Sequence, residues 1–286
     1  MLEECLEWLN LQPKQWYIDA TFGAGGHTKA MLEAGVKVLA IDQDPHTQAY
    51  MARLKQDLAD NKRADFLSVQ GNFEDLVQHV NQAGLGAVAG ILMDLGVSSM
   101  QLDEGERGFA FRKDGPLDMR MQASGDSAAD VVNHYEQEDL AAIIFKYGEE
   151  RYSRRIARAI VEERAREEIT TTQALAAIIQ RAYPKGSYRR DHPARRTFQA
   201  LRIYVNDELG VLERALKGAE SVLAEQGRLV VMSYHSLEDR IVKHFMRSSE
   251  FLTGLTKKPL LASEAEAERN PRARSAKLRV AERSVR

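Results

Sequence analysis

A chain of 286 residues, 44% apolar, can build one large domain or a domain with an insert, and its single cysteine, Cys5, excludes an internal disulfide framework or thiolate zinc site. No apolar run approaches the roughly 20 residues that span a membrane, and no basic-then-apolar leader opens the chain, so the expected compartment is the cytoplasm, with no membrane partner. The net charge of −2 hides an asymmetry: residues 1–106 carry 16 acids and 7 bases, while the bases crowd into two later zones.

Leu2 to Leu11 reads as an amphipathic helix that Pro13 stops. The β-prone run Trp16-Tyr17-Ile18 then leads into Asp19-Ala20-Thr21-Phe22-Gly23-Ala24-Gly25-Gly26-His27, and a helix-like segment, Thr28 to Ala34, follows. Strand, glycine turn and helix in that order bring bare backbone close to a ligand at the carboxyl edge of an open α/β sheet. A side chain would block that approach, and the turn calls for φ > 0. The spacing is not the G-x-G-x-x-G of a dinucleotide site. The next apolar run, Val36 to Ile41, ends at Asp42, an acid placed to accept hydrogen bonds from both hydroxyls of a ribose. A glycine loop without a phosphate pattern, followed by a ribose acid, suits S-adenosylmethionine. A turn that merely joins strand to helix is the plainer alternative.

A helix is expected from Pro45 to Leu58, with proline at a first-turn position where its missing N–H costs nothing. A third strand, Phe66 to Val69, ends at Gly71-Asn72-Phe73, and a helix runs to about Asn81. The fourth strand, Val88 to Met93, ends at Asp94-Leu95-Gly96. Strands alternating with helices argue for a parallel sheet covered on both faces. Right-handed crossovers place all these loops on one edge.

The alternation stops after Gln101. Residues 107–196 show helical runs, Gln137 to Lys146, Arg151 to Arg166 and Thr172 to Arg181, with Thr171 as cap, and read as a helical insert between 1–106 and 197–286. The first basic zone closes it: residues 181–202 hold 7 bases against Asp191 alone. The α/β pattern resumes with one helix over Thr197 to Ala224, a turn at Gln226-Gly227 and a strand, Leu229 to Met232, ending in Ser233-Tyr234-His235-Ser236. A helix follows from Leu237 to Met246, then a polar loop over 261–274 and a strand over Ala276 to Ala281. The second basic zone lies here, with 7 bases from Arg269 onward against Glu282. Two such zones suggest a polyanionic partner, although each singly is also what solvated surface arginines look like.

Several stretches together resemble one family, the bacterial 16S ribosomal RNA cytosine-N4 methyltransferases (the RsmH, formerly MraW, family). They are Asp19 to His27, Gly90 to Ser99, Glu106 to Phe109, Asp114 to Arg120, Tyr147 to Arg151, Thr197 to Arg202, Ser233 to Arg240 and Asn270 to Ser275. Tyr234 stands where the family more often has Phe. The resemblance implies a Rossmann-like class I methyltransferase with a mainly parallel seven-stranded sheet and an inserted helical domain that reads RNA. It also implies S-adenosylmethionine as donor, S-adenosylhomocysteine as product and no metal. The acceptor would be N4 of one cytidine, position 1402, in the 16S ribosomal RNA of the small ribosomal subunit, with a homodimer as candidate assembly. Carried over residue by residue, the cofactor contacts are Gly25, Gly26, His27, Asp42, Phe73, Asp94 and Gln101.

Methyl transfer from a sulfonium releases a neutral leaving group, so the difficulty is the acceptor, whose nitrogen lone pair is delocalised into the ring. Positioning and acceptors for the amine hydrogens should dominate. Asp94 is the first candidate, with His235 and Ser233 beside it at the end of the following strand. An extruded base would need an aromatic face, for which Phe109, Phe111 and Tyr234 are candidates, each also at home in a core. Asp118 lines the substrate side or caps a turn. Arg189, Arg190, Arg195 and Arg196, interleaved with Tyr183 and Tyr188, are the expected RNA contacts, arginine being suited to bidentate phosphate binding. Charge reversal at Arg189 and Arg190 should weaken RNA binding and flatten its salt dependence. Two other readings remain open at this point: an N-methyltransferase acting on another RNA or DNA amine, and a catalytically idle RNA-binding protein. A nicotinamide oxidoreductase would need the fingerprint this loop lacks.

Overall fold

The strands of the central sheet are apolar in almost every position because both of its faces are covered. A computed structural model describes residues 1–60, 65–122, 124–184 and 192–285. The chain forms two compact units, Met1–Gly96 with Leu209–Arg286, and Val97–Glu208.

The first unit starts with α1 (Leu2–Leu9), β1 (Trp16–Asp19), α2 (Gly26–Glu33), β2 (Lys37–Asp42), α3 (Gln48–Asp60), β3 (Phe66–Gln70), α4 (Leu76–Gln82) and β4 (Val88–Asp94). The second unit holds α5 (Ser99–Asp103), α6 (Ala128–His134), α7 (Gln137–Gly148), α8 (Ser153–Arg164), α9 (Thr172–Ala182) and α10 (Ala194–Val205). The chain then completes the first unit with α11 (Glu208–Val222), β5 (Leu223–Ser233), α12 (Ser236–Ser248), β6 (Leu252–Gly254), β7 (Leu260–Leu261), α13 (Glu264–Arg269) and β8 (Lys277–Arg283).

The sheet runs β3-β2-β1-β4-β5-β8-β6, with the short β7 also paired to β8. The first five strands are mutually parallel and β8 is antiparallel to β5. This is the Rossmann-like α/β sheet anticipated from the sequence, with β7 as one short strand more. Alternate side chains divide between two cores. Leu39, Ile41, Ile91 and Met93 pack with Leu76 of α4, Leu212 and Leu216 of α11 and Val242 of α12. Val38, Ala40 and Leu92 pack on the other face with Cys5 and Leu9 of α1, Met31 of α2 and Leu54 of α3. Two buried faces leave few polar positions along these strands, which is why they read as continuous runs rather than alternation.

The structure corrects three boundaries. The helix expected over 197–224 is two helices, α10 and α11, separated at Asn206 and Asp207, where Asp207 takes φ 46°. The Asn206 amide accepts from the Met121 N–H at 2.7 Å and donates to the Met119 carbonyl at 2.8 Å, so a distant loop ends α10. The inserted unit accordingly covers Val97–Glu208 rather than 107–196. Phe198 and Leu201 of α10 lie in its core with Ile144 and Ile156, and Val97 and Leu102 pack against that core. The tract 261–274, expected as loop, contains part of β7, α13 and a 3-10 turn over Pro271–Ser275. Among the described residues no helix is long and apolar enough to cross a membrane.

Candidate active site

Parallel strands deliver their carboxyl ends to one edge, and three of them end in aspartate: Asp19 on β1, Asp42 on β2 and Asp94 on β4. The strand order reverses direction between β1 and β4, since β2 and β3 lie to one side and β5 to the other. That reversal is where open α/β sheets leave a crevice for ligands. The loop leaving β1 at this point is the glycine loop.

The loop is held from both sides by carboxylates. Asp42 accepts from the Gly23 N–H at 2.7 Å and from the Asp44 N–H at 2.9 Å. Asp19, fully buried, accepts from the Thr28 hydroxyl at 2.7 Å and from the Thr21 N–H at 3.3 Å. The Thr21 hydroxyl in turn accepts from the Asp94 N–H at 2.8 Å. Sequence reasoning treated Asp19, Thr21 and Thr28 only as neighbours of the glycines. Their signal was available in the spacing of an acid and two hydroxyls through the loop, the side chains that can satisfy a tight turn's backbone.

Gly25 precedes α2 with φ 79°, and a Cβ there would lie 2.7 Å from Phe22 Cζ. Gly26 opens α2, and a Cβ there would meet nothing within 4 Å. The two glycines therefore serve different ends. Gly25→Ala is expected to lower Tm by several degrees, because left-handed backbone costs an L-residue about 1–2 kcal/mol before Phe22 must move. Gly26→Ala should leave Tm unchanged yet weaken donor binding at least tenfold, about 1.4 kcal/mol. Thermal melts and calorimetry on both variants check the contrast, and unaltered donor affinity in Gly26→Ala would remove that glycine from the cradle.

Electrostatics at this edge are acidic. Burial pushes all three carboxyls up: Asp42 to about 6, and Asp19 and Asp94 above the usual carboxylate range. Among the described residues no Lys or Arg pairs with them. His27 Nδ1 lies 3.9 Å from Asp94 Oδ2, and the Tyr234 hydroxyl donates to Asp94 Oδ1 at 2.8 Å. The same bond, with burial and the Asp94 charge, raises the Tyr234 phenol far above its usual range. A carboxylate so held has one oxygen fixed and one facing His27. Phe73 sits in the turn after β3, partly buried against the sheet core, behind an Asn72 whose amide donates to Gln43 at 3.1 Å.

The expected residues at the end of β5 also make structural bonds. Ser233, expected as catalytic, is buried at the end of β5 and its hydroxyl donates to the Lys277 carbonyl at 3.4 Å. His235 caps α12: its Nδ1 accepts from the Glu238 N–H at 3.4 Å, and Glu238 accepts from the N–H groups of Tyr234 and His235 at 2.8 and 3.2 Å. The cap uses Nδ1 alone, and Nε2 is buried 3.1 Å from Glu238 Oε1 with no hydrogen-bond partner. Tyr234, expected to offer a ring to a base, donates its hydroxyl to Asp94.

In the second unit, Gln101 is buried and closes a capping box, its side-chain oxygen accepting from the Ser98 N–H at 2.9 Å. Phe109 is buried in that unit's core with the Arg107 guanidinium 5.6 Å from its ring. Phe111 stacks on His192 at 4.6 Å and meets Phe198 edge-on. Asp118 accepts from Arg120 Nε at 2.9 Å and Nη2 at 2.7 Å, and this pairing holds its carboxyl below the usual range. It is a turn-building residue here. Arg195 and Arg196 are exposed, with Arg196 donating to the Glu149 carbonyl at 2.9 Å. Arg189, Arg190 and Tyr188 lie outside the described residues.

Comparison with known proteins matches the MraW methylase family over residues 1–284. The chain is 55% identical over 282 residues to the ribosomal RNA small subunit methyltransferase H of Deinococcus deserti, covering 99% of this chain and 91% of that protein. It is 53% identical to the protein of the same name from Deinococcus radiodurans (99% and 88% covered) and 46% identical to that from Carboxydothermus hydrogenoformans (99% and 96% covered).

Proposed function

The chain belongs to the MraW methylase family, and from that premise we propose that it is an S-adenosylmethionine-dependent ribosomal RNA methyltransferase acting on N4 of a cytidine, position 1402 of 16S ribosomal RNA. The observation that carries the donor is charge: Asp19, Asp42 and Asp94 converge on one sheet edge at the glycine loop. Three acids with no paired Lys or Arg among the described residues repel a phosphate and attract a sulfonium. The fit extends to shape, since the open space beside Gly26 lets a ligand approach bare backbone.

S-adenosylmethionine supplies a methyl group on a positively charged sulfur. Asp42 would hold the ribose hydroxyls, Gly25 and Gly26 the backbone approach, and Phe73 an apolar flank for the adenine. Asp94, its Oδ1 tied by Tyr234, would offer Oδ2 to a hydrogen of the attacking amine and orient the nitrogen lone pair toward the methyl. The RNA acceptor rests on the names of the relatives, and the amine on the resemblance of the strand-end motifs. Incubation of the full chain with labelled donor and small subunits lacking the modification, followed by nucleoside mass mapping, should place the label on cytosine N4. Label on cytosine C5 or another base would refute the reaction.

A further inference from the structure

At one end of the second unit, α7 finishes, α8 begins and α10 begins. Gly148 closes α7 so tightly against α10 that a Cβ on it would lie 2.6 Å from the Arg196 carbonyl oxygen. Arg196 in return donates to the Glu149 carbonyl. From Phe145 to Arg158 the exposed charged side chains at this end are Lys146, Glu149, Arg151, Arg154, Arg155 and Arg158. Five are cations. The other acid of the stretch, Glu150, is buried, accepting from the Tyr152 N–H at 2.8 Å and from the Tyr183 hydroxyl.

Arg151, Arg154, Arg155 and Arg158 are three or four residues apart and so form a single stripe along α8 and the turn before it. The opposite face of α8 buries Ile156, Ala157 and Ile160. Arg158 is partly neutralised by Glu162 at 2.8 Å. Among the described residues, no carboxylate pairs with Arg151, Arg154 or Arg155. A face that merely solvates a helix carries both signs interspersed, whereas here five exposed cations stand against Glu149 alone from Phe145 to Arg158. It also carries aromatic surface. Phe145 is 63% exposed, Lys146 lies 4.8 Å above the Tyr147 ring, and the Arg151 guanidinium lies 4.5 Å above the Tyr152 ring.

A row of arginines that no described carboxylate pairs, on a unit that also exposes the Phe145 ring three residues before the end of α7, matches the chemistry of a nucleic-acid backbone with an unstacked base. We infer that this end of the second unit is an RNA-docking surface in which Arg151, Arg154 and Arg155 contact successive phosphates and Phe145 receives a base. The inference rests on the proposed function and adds to it a surface outside the arginines that the sequence singled out.

The test uses the full chain, the double variant R154E/R155E, the milder R154A/R155A, whose charge change is −2, and R166E as a control with that same change elsewhere on the unit, where Arg166 is exposed. Binding to transcribed 16S ribosomal RNA is measured across a potassium chloride series, alongside affinity for S-adenosylhomocysteine and KM for RNA. The double reversal should weaken RNA binding at least tenfold near 0.1 M salt and flatten the log–log salt slope by about 1.4 to 1.8, two contacts at roughly 0.7–0.9 each. R154A/R155A should show the same slope change with a smaller loss, and R166E neither. Affinity for S-adenosylhomocysteine should be retained in all three, which confirms folding of the first unit, and far-UV circular dichroism and melts matching wild type confirm that of the second. An unchanged slope overturns the surface. So does weakened binding to intact subunits with unaltered binding to free RNA, which would mark a protein partner instead. A wild-type chain that methylates no RNA would defeat the proposed function itself, whereas failure of the variants alone to differ defeats only this surface.

Discussion

Asp94→Asn is expected to lower the methyl-transfer rate at saturating substrates by roughly 10²–10³-fold, the range for removing one preorganised electrostatic partner of a transition state. The substitution keeps the size of the side chain and an oxygen for the Tyr234 hydroxyl, now 2.8 Å from Oδ1. What it replaces is the second oxygen, which faces His27, with an amide that donates where the incoming amine also donates. The enzyme should not pay for this in stability. Burial raises the Asp94 carboxyl, so the stability it contributes is present at low pH and is lost as pH rises through its folded-state value. Burying this carboxyl is a cost that grows as pH rises, and Asn removes it. Tm should therefore hold or rise while the rate collapses, the signature of a group kept for chemistry. Tyr234→Phe is the graded companion: the ring stays, one hydrogen bond goes, and a rate loss of about tenfold is expected with S-adenosylhomocysteine affinity little changed. Single-turnover rates, melts and product-binding calorimetry read all of this. A rate within tenfold of wild type in Asp94→Asn would exclude the carboxylate from the reaction.

The parts legible in the sequence were those that local chemistry dictates. Val36 to Ile41 and Val88 to Met93 read as buried parallel strands because both faces of the sheet are covered, and each ends in its acid where the pattern ends. The glycine loop was legible because three glycines in four positions have few other uses. Pairings across long stretches of chain were not legible. Nothing near Tyr234 in the sequence says that its hydroxyl reaches Asp94, and nothing near Asn206 says that its amide clasps Met119 and Met121. The segment from Thr197 to Ala224 contains no Pro, and its two glycines, Gly210 and Gly218, lie away from the break, so a single helix was the natural reading, and a tertiary hydrogen-bond pattern broke it. The bonds of Ser233 and His235 were hidden for a related reason. A polar side chain at a strand end can serve a ligand, a neighbouring strand or the next helix, and only the fold shows that β8 took one and α12 the other. The stripe on α8 escaped notice because its arginines are spaced through a helical run whose apolar periodicity dominates.

Donor affinity should fall as pH drops below about 6, approaching tenfold per pH unit, and the group responsible should be Asp42. Burial pushes this carboxyl up to about 6, against the hydrogen bonds from Asp44 and Gly23 and with the nearby Asp44 and Asp19 charges adding to the rise. Ribose hydroxyls donate, so the ligand needs the ionised form. A raised folded value means that the ligand-free fold is favoured by protonation, and its contribution to stability is lost as pH rises through about 6. The two effects oppose: stability without ligand gains on acidification over the interval where binding is lost. Stabilisation by S-adenosylhomocysteine, read as the shift in Tm at fixed excess ligand, should therefore shrink below about pH 6. The neutral-sulfur product and the charged donor should lose affinity together, since both carry the ribose. Loss of affinity for both ligands, persisting in His27→Gln, assigns the proton to Asp42, whereas a loss confined to the sulfonium removes it from that carboxyl. A flat profile from pH 5 to 8 for both ligands would mean that the carboxylate at the end of β2 does not hold the ribose.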